Sequence, residues 1–201
     1  RDARGQREVM LASEMPLKGA HNLENVLAAV CAGALMGCAP ERIRQAVRDF
    51  KAVEHRLEYV ATIRGVDYYN DSKATNVDAT IKALESFPAN IHLILGGKDK
   101  GSDYSVLNDL LRQRVKSVYT IGAAAAKIES QIVSAKNGGP ELVPSETLEN
   151  ALRKASAVAQ PGDAVLLAPA CASFDQFKSY EHRGKVFKEI VQGLAGEAGK
   201  A

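Results

Sequence analysis

From Val66 onward, short apolar runs alternate with stretches whose apolar residues recur three and four positions apart. Ile91-His92-Leu93-Ile94-Leu95, Val115 to Ile121 and Ala164 to Ala168 read as buried strands, and Glu141-Leu142-Val143 as a shorter one. Between them, Ala79, Ala83 and Leu84 (with Ile81 or Phe87 at the edge) outline one helical stripe. Val106, Leu107, Leu110 and Leu111 outline a second, and Leu148, Ala151, Leu152, Ala155 and Val158 a third. Ala123 to Lys136 predicts a further helix, closed by Asn137-Gly138-Gly139-Pro140. The last helix carries Phe187, Ile190, Val191 and Leu194, and Gly196 to Ala201 reads as a loose tail. Strands that alternate with amphipathic helices build a largely parallel sheet, since a parallel neighbour needs a long crossover. The expected class is α/β.

The chain before Val66 has another texture. Leu57, Tyr59, Ala61 and Ile63 alternate with Glu58, Val60, Thr62 and Arg64, and Gly65 turns the chain into Val66 to Tyr69, the pattern of a β-hairpin. Further upstream, Val26 to Met36 is almost unbroken Ala, Val, Leu, Cys and Gly, which predicts a deeply buried helix. Pro40 opens a second helix, with Ile43, Ala46, Val47 and Phe50 on one face. Val9-Met10-Leu11 predicts a short strand and residues 15–19 a loop. Helical periodicity stops near Lys51 and strand periodicity starts straight after it, so a domain boundary is expected there, separating residues 1–51 from 52–201. Because the chain begins with Arg1 and a polar stretch, it reads as a piece entered within a domain.

In parallel sheets ligands bind beyond the carboxyl ends of the strands. Three polar loops occupy such ends: Asn70–Asn76, Gly96–Gly101 and Pro169–Asp175. The first passes from a strand into a helix, where free N–H groups and the helix dipole favour an anion. Lys73 adds a charge there, and Asp71 an acceptor suited to ribose hydroxyls or a metal. The plainer alternative is a capped turn, with Ser72, Thr75 or Asn76 serving the next helix. The second loop combines glycines that let a ligand approach with Lys98 and Lys100. It is neither a Walker A loop nor a dinucleotide fingerprint, and neither pattern occurs anywhere in the chain. The third carries Ser173 without the G-x-S-x-G elbow of a serine nucleophile. His21, Asn22 and Asn25 sit at the mouth of the first helix, where an amide reads a base, bonds a phosphate or caps the helix.

No metal spacing links His21, His55, His92 and His182, and His92 reads as a packed core residue. Cys31, Cys38 and Cys171 are sparse and odd in number, which fits reduced thiols in a cytosolic protein, and nothing near Cys171 supports a nucleophile. A net charge of +2 over 201 residues gives no reason to expect a nucleic-acid or membrane surface. What remains is rich in Lys, Arg and small hydroxyls, a chemistry of anion binding and positioning rather than covalent catalysis.

Five segments together resemble the Mur ligases: Gly19 to Asn25, Glu54-His55-Arg56-Leu57-Glu58, Asn70 to Asn76, Gly96-Gly97-Lys98-Asp99-Lys100 and Pro169 to Phe177. The last loop makes the chain similar to those members that add D-glutamate. The resemblance implies a Rossmann-like C-terminal domain with an N-terminal β-hairpin, preceded by a helical remnant of the family's central ATPase domain. It implies an ATP-dependent amide ligase of peptidoglycan precursor synthesis that joins D-glutamate to UDP-N-acetylmuramoyl-L-alanine through an acyl phosphate. ATP with Mg2+ is the implied cofactor, its metal ligands and phosphate loop lying outside this chain. A cytoplasmic monomer acting on small molecules is implied as well. By residue, the resemblance puts His21, Asn22, Asn25, Arg56 and Asp71 at the nucleotide, and Lys73 at the transferred phosphate or the D-glutamate carboxylate. Thr75, Lys100, Ser173 and the Phe174 backbone would hold D-glutamate, with Tyr180 lining that pocket; Arg183 is a weaker candidate, and Lys73 and Lys100 are the expected catalytic cations. The competing readings are another Mur or folylpolyglutamate-type ligase, or a non-catalytic binding module.

Overall fold

A computed structural model describes residues 8–15, 20–50 and 53–198, together with their side chains except those of Ala20 and His21. The expected loop at 16–19, the side chain of His21 and the end of the tail lie outside the described residues. The chain divides into two compact units, Arg1–Val53 and Glu54–Ala201.

In the first unit, the described residues form the α-helices α1 (Ala20–Leu35) and α2 (Pro40–Asp49). Pro40 opens α2 as expected, and Gly33 of α1 lets the helices approach, since a Cβ there would stand 3.3 Å from Ile43 Cδ1. Two expectations fail. Val9 to Leu11 is irregular and leads into a single 3-10 turn, Ala12–Glu14; the Val9 carbonyl accepts a hydrogen bond from Arg44 Nε instead of a ladder partner. Helix α1 is not buried: Leu27 is 57% exposed and Leu35 82%. A helix apolar on every side needs cover on every side, and α2 offers it one flank, with Ile43 its single buried residue.

The second unit is a six-stranded sheet between two helical layers. Its strands are β1 (Glu58–Ile63), β2 (Val66–Asn70), β3 (Ile91–Gly96), β4 (Val115–Ile121), β5 (Glu141–Glu146) and β6 (Ala164–Leu167). Their order across the sheet is β1-β2-β6-β3-β4-β5, antiparallel at β1–β2 and parallel elsewhere. Arg64 and Gly65, at φ 51° and 79°, make the tight turn of the hairpin. A bulge between Tyr59 and Ala61 breaks the expected alternation, leaving Tyr59 exposed while Leu57 and Ile63 are buried.

Each parallel strand is followed by a helix: α3 (Val77–Glu85), α4 (Asn108–Arg114), α5 (Ala125–Gln131), α6 (Leu148–Val158) and α7 (Tyr180–Ala198). Alternate residues of β3 face opposite layers. Leu93 and Leu95 join Leu84, Leu111 and Ile128 in the core beneath α3, α4 and α5. Ile94 joins Leu152, Phe187 and Val191 beneath α6 and α7. Helix α5 is shorter than the run from Ala123 to Lys136 suggested, because Ile132 turns extended and the next N–H, of Val133, donates to Asn108 Oδ1. Helix α7 continues to Ala198, past the expected start of the tail, with Leu194 buried beneath it. Strand β5 tolerates Pro144 because it is an edge strand, where a missing N–H costs no ladder bond.

Candidate functional site

Strands β2, β6 and β3 are neighbours, so the three polar loops leave adjacent strand ends. Gly96 N–H donates to the Pro169 carbonyl at 2.9 Å, and Lys98 and Ala172 exchange backbone hydrogen bonds at 2.8 and 3.2 Å. On the other flank, Asp71 N–H donates to the Leu167 carbonyl at 2.8 Å. The loops are stitched together through the one after β6. The glycines at 96 and 97 are required by this stitching. A Cβ at Gly96 would stand 2.0 Å from the Ile121 carbonyl oxygen, and one at Gly97 2.3 Å from that of Ala172. Both residues also have φ near 130°, which other residues rarely adopt.

In the first loop, Asn76 caps α3, its side-chain oxygen accepting from Ala79 N–H at 2.8 Å. The capped-turn alternative is therefore right for Asn76, and it leaves Lys73 and Thr75 unaccounted for. Lys73 is exposed, held by its backbone N–H on the His55 carbonyl at 3.0 Å. Its ammonium lies 5.7 Å from the centre of the Tyr180 ring, a cation–π pair that joins two expected site residues. Thr75 is half-buried beside it.

Asp71 is largely buried and accepts Leu57 N–H on Oδ1 at 3.1 Å. Burial raises its carboxyl to about 6, against the opposing pull of that hydrogen bond and of Arg56. Exposed Arg56 lies close enough to act on this carboxylate electrostatically.

The second loop hangs on Asp99. Its carboxylate accepts from Lys127 Nζ at 2.8 Å, Tyr104 OH at 2.8 Å and Ser102 N–H at 3.2 Å. The hydrogen bond from Lys127, more than those from Tyr104 and Ser102, holds this carboxyl well below the usual carboxylate range. Tyr104 is fully buried, and its hydroxyl also lies 2.9 Å from Cys171 Sγ. Burial raises the Cys171 thiol above its ordinary value. Lys100, next to Asp99, is exposed and makes no hydrogen bond or ion pair among the described residues. Across the stitched backbone, Ser173 is buried at 2% exposure and Phe174 exposed at 67%.

Arg183 corrects the expectation of a pocket residue. It is wholly buried, and its guanidinium is spent inside the protein. Nε donates to Ser72 Oγ at 3.0 Å, Nη2 to the Ser72 carbonyl at 2.8 Å, and Nη1 and Nη2 both to the Cys171 carbonyl at 3.2 Å. Burial lowers its pKa to about 10, which leaves it charged at neutral pH. Two supports were invisible to sequence reasoning, Arg183 in this role and Lys127; each acts on a loop far away in the chain, and neither stands in a local motif. His92 is a core residue as expected, bonded to Asp163 at 3.1 Å. His55 is buried as well: Nδ1 lies 3.0 Å from Asn70 Nδ2, and Nε2 has no hydrogen-bond partner.

Asn22 and Asn25 belong to the first unit, on the opening turns of α1, with Asn22 buried and Asn25 exposed. A cleft of about 390 Å³ opens beside the loops at the ends of β4 and β5, lined by Thr120, Ala123, Glu146 and Asp175 among others. None of the expected site residues lines it. Among the described residues no three His, Cys, Asp or Glu side chains are grouped to hold a metal.

The family model for the glutamate ligase domain of Mur ligases matches residues 55–171. Over its full length the chain is 68% identical to a UDP-N-acetylmuramoylalanine–D-glutamate ligase of Koribacter versatilis, covering 43% of that protein. It is 60% identical over 94% of its length to the enzyme of that name from Acidobacterium capsulatum, covering 40% of it. The chain thus spans less than half the length of the curated relatives it matches. Among solved structures, a pseudomurein peptide ligase type C from Methanothermus fervidus superposes with a TM-score of 0.65 at 17% identity, over 90% of this chain and 37% of that one. A Mycobacterium tuberculosis folylpolyglutamate synthase complexed with ADP does so with a TM-score of 0.61 at 16% identity, over 88% of this chain and 41% of that one. At such identities the two structures speak for the fold alone.

Proposed function

The chain belongs to the Mur ligase family, and from that premise we propose that it is the C-terminal part of an ATP-dependent ligase that adds D-glutamate to UDP-N-acetylmuramoyl-L-alanine. Residues 1–51 are read as the end of the central ATPase domain and 52–201 as the C-terminal domain. The intact protein is read as a cytoplasmic monomer that uses ATP and Mg2+, with no nucleic-acid or membrane partner.

The chemistry sets what the site must do. A carboxylate is a poor acyl donor, because its oxide does not leave. ATP phosphorylates the L-alanine carboxylate, giving ADP and an acyl phosphate. The amine of D-glutamate attacks the acyl carbon, the C–O bond to phosphate breaks, and amide and inorganic phosphate result. The protein's part is to hold the reactants and to meet developing charge. Lys73, tethered over Tyr180, faces the transferred phosphate or a D-glutamate carboxylate. Lys100 takes a D-glutamate carboxylate, with Thr75, Ser173 and the Phe174 backbone as neutral donors. Both carboxylates need such partners, since burying a bare charge opposes binding. Asp71 takes ribose hydroxyls through its second oxygen, and Arg56, Asn22, Asn25 and His21 the rest of the nucleotide.

One observation carries the reading: the loops bearing Lys73, Lys100 and Ser173 leave three adjacent strands, β2, β3 and β6, and are stitched into one surface. D-glutamate is favoured over other acceptors by the 68% identity to a D-glutamate ligase. The test is steady-state kinetics of Lys100→Ala and Ser173→Ala in the intact ligase. The KM for D-glutamate should rise about tenfold or more while that for ATP moves little, the pattern of lost acceptor binding. A rise in the ATP KM with D-glutamate untouched would place these residues at the nucleotide instead.

A further inference from the structure

Lys100 has an acidic neighbour, Asp99, that could capture it. An uncompensated carboxylate beside a loop lysine competes with an anionic ligand for its ammonium. Here the carboxylate is already occupied. Lys127, arriving from α5, pairs with Asp99 Oδ2 at 2.8 Å, and Tyr104 OH and Ser102 N–H fill Oδ1. Lys127 is steered to that position by the Tyr104 ring, whose centre lies 5.6 Å from its ammonium. Tyr104 is itself anchored, fully buried and with its N–H on Gln131 Oε1 at 2.9 Å. Two cations, Lys98 and Lys100, remain exposed on the loop, and neither makes a side-chain hydrogen bond or ion pair among the described residues.

We infer that Lys127 is a positioning residue for the ligase reaction: by neutralising Asp99 it keeps Lys100 unpaired and available to the carboxylate of the acceptor amino acid. The inference rests on the proposed role of Lys100. Lys127 acts through Asp99, to which it is paired, and removes a competitor. Asp99 fastens the loop, and Lys127 decides whether that fastening draws on the functional lysine.

The roles of staple and neutraliser separate by the sign of a double substitution. In the intact ligase, Lys127→Met exposes the Asp99 charge to Lys100, and the D-glutamate KM should rise about fivefold or more with the ATP KM unmoved. Lys127→Arg keeps the pair and should restore most of the loss. Adding Asp99→Asn to Lys127→Met removes the competing charge and should lower the D-glutamate KM again, although it deletes a second member of the cluster. Asp99→Asn alone should raise that KM less than Lys127→Met does. A double variant no better than Lys127→Met, or Asp99→Asn as damaging as Lys127→Met, overturns the inference, since a purely structural staple loses more with each member removed. Lys100→Ala runs as the control. An unchanged D-glutamate KM there sinks the reading of Lys100 itself. A raised KM there, with Lys127→Met at the parent value, sinks only the role of Lys127. If Lys127→Met does not fold, Lys127→Gln takes its place, alone and combined with Asp99→Asn, and the same two outcomes decide.

Discussion

Arg183 donates to the carbonyl of Ser72 at 2.8 Å across 111 residues of sequence, so the opening of the last helix holds the first loop of the site. The same guanidinium reaches Cys171, in the loop between them. Lysine has one ammonium and cannot serve Ser72 Oγ, the Ser72 carbonyl and the Cys171 carbonyl at these positions together. Arg183→Lys should therefore destabilise the second unit by about 2–3 kcal/mol, the cost of buried acceptors left unpaired. Arg183→Met should cost at least as much. Urea midpoints of the parent and both variants check this; coincident midpoints would mean that the loops are held by other contacts.

Gly184, the next residue, is required by His55. A Cβ at 184 would stand 2.2 Å from His55 Nδ1, and the Asn70 amide that bonds this nitrogen also donates to the Gly184 carbonyl at 3.3 Å. Gly184→Ala should cost about 2–3 kcal/mol through overpacking. Removing the ring should relieve that clash, so His55→Ala and Gly184→Ala combined should cost less than the sum of the two alone. A thermal-melt double-mutant cycle measures it, and simple additivity would show that the ring moves aside freely.

Asp71 is kept at a cost to stability. Its carboxyl is raised to about 6 by burial, above the unfolded value of 3.8. Above pH 6 it is ionised in both states and the burial cost is fully present. As pH falls from 6 towards 3.8 the folded state takes up the proton first, and the cost fades; below 3.8 it is gone. The cost is about 2–3 kcal/mol at pH 7.5. Asp71→Asn keeps an acceptor for Leu57 N–H, so it should raise the melting temperature at pH 7.5 and leave it nearly unchanged at pH 4. In the intact ligase the same change should weaken ATP use, the trade expected of a strained functional residue. An equal shift in melting temperature at both pH values would mean that ionisation of Asp71 is not the source of the cost.

Asp163 works in the opposite direction at the other end of the sheet. Burial alone would raise its carboxyl, but hydrogen bonds from Lys116 at 2.6 Å, from Gln160 N–H at 2.9 Å and from His92 at 3.1 Å together hold it below the ordinary aspartate value. A depressed carboxyl contributes stability that is fully present above its unfolded value and lost as pH falls through the lower folded one. Asp163→Ala should destabilise by about 3 kcal/mol at pH 7, leaving three donors without their acceptor. The gap from the parent should narrow below pH 4. Acid titrations of stability followed by circular dichroism check both statements.

Much of the second unit was legible because its signals are local. Val115 to Ile121 forms a strand with the bounds its apolar run suggests, Gly65 makes the hairpin turn, and Asn76 caps α3, each through interactions within a few residues. The polar loops stood out for a similar reason: charged and hydroxyl residues between buried runs have no packing to explain them.

Other features depend on which strand lies beside which. Whether the loops of Lys73, Lys100 and Ser173 meet was decided by the insertion of β6 between β2 and β3, a long-range pairing that no local pattern encodes. The glycines at 96 and 97 could be seen, but their purpose could not, because the atoms that exclude a side chain belong to Ile121 and Ala172. Arg183 stood only as a weaker candidate for the site, because nothing near it in sequence says what its charge meets. Only the fold shows it enclosed by the carbonyls of two distant loops, which stabilise the cation that burial would otherwise reject. The sequence by itself thus determined the elements and the chemical character of the loops, since both arise from interactions short along the chain. The tertiary structure decided which loops share a surface, and which charges are spent on holding it and which are left for a ligand, since those depend on contacts among residues far apart in sequence.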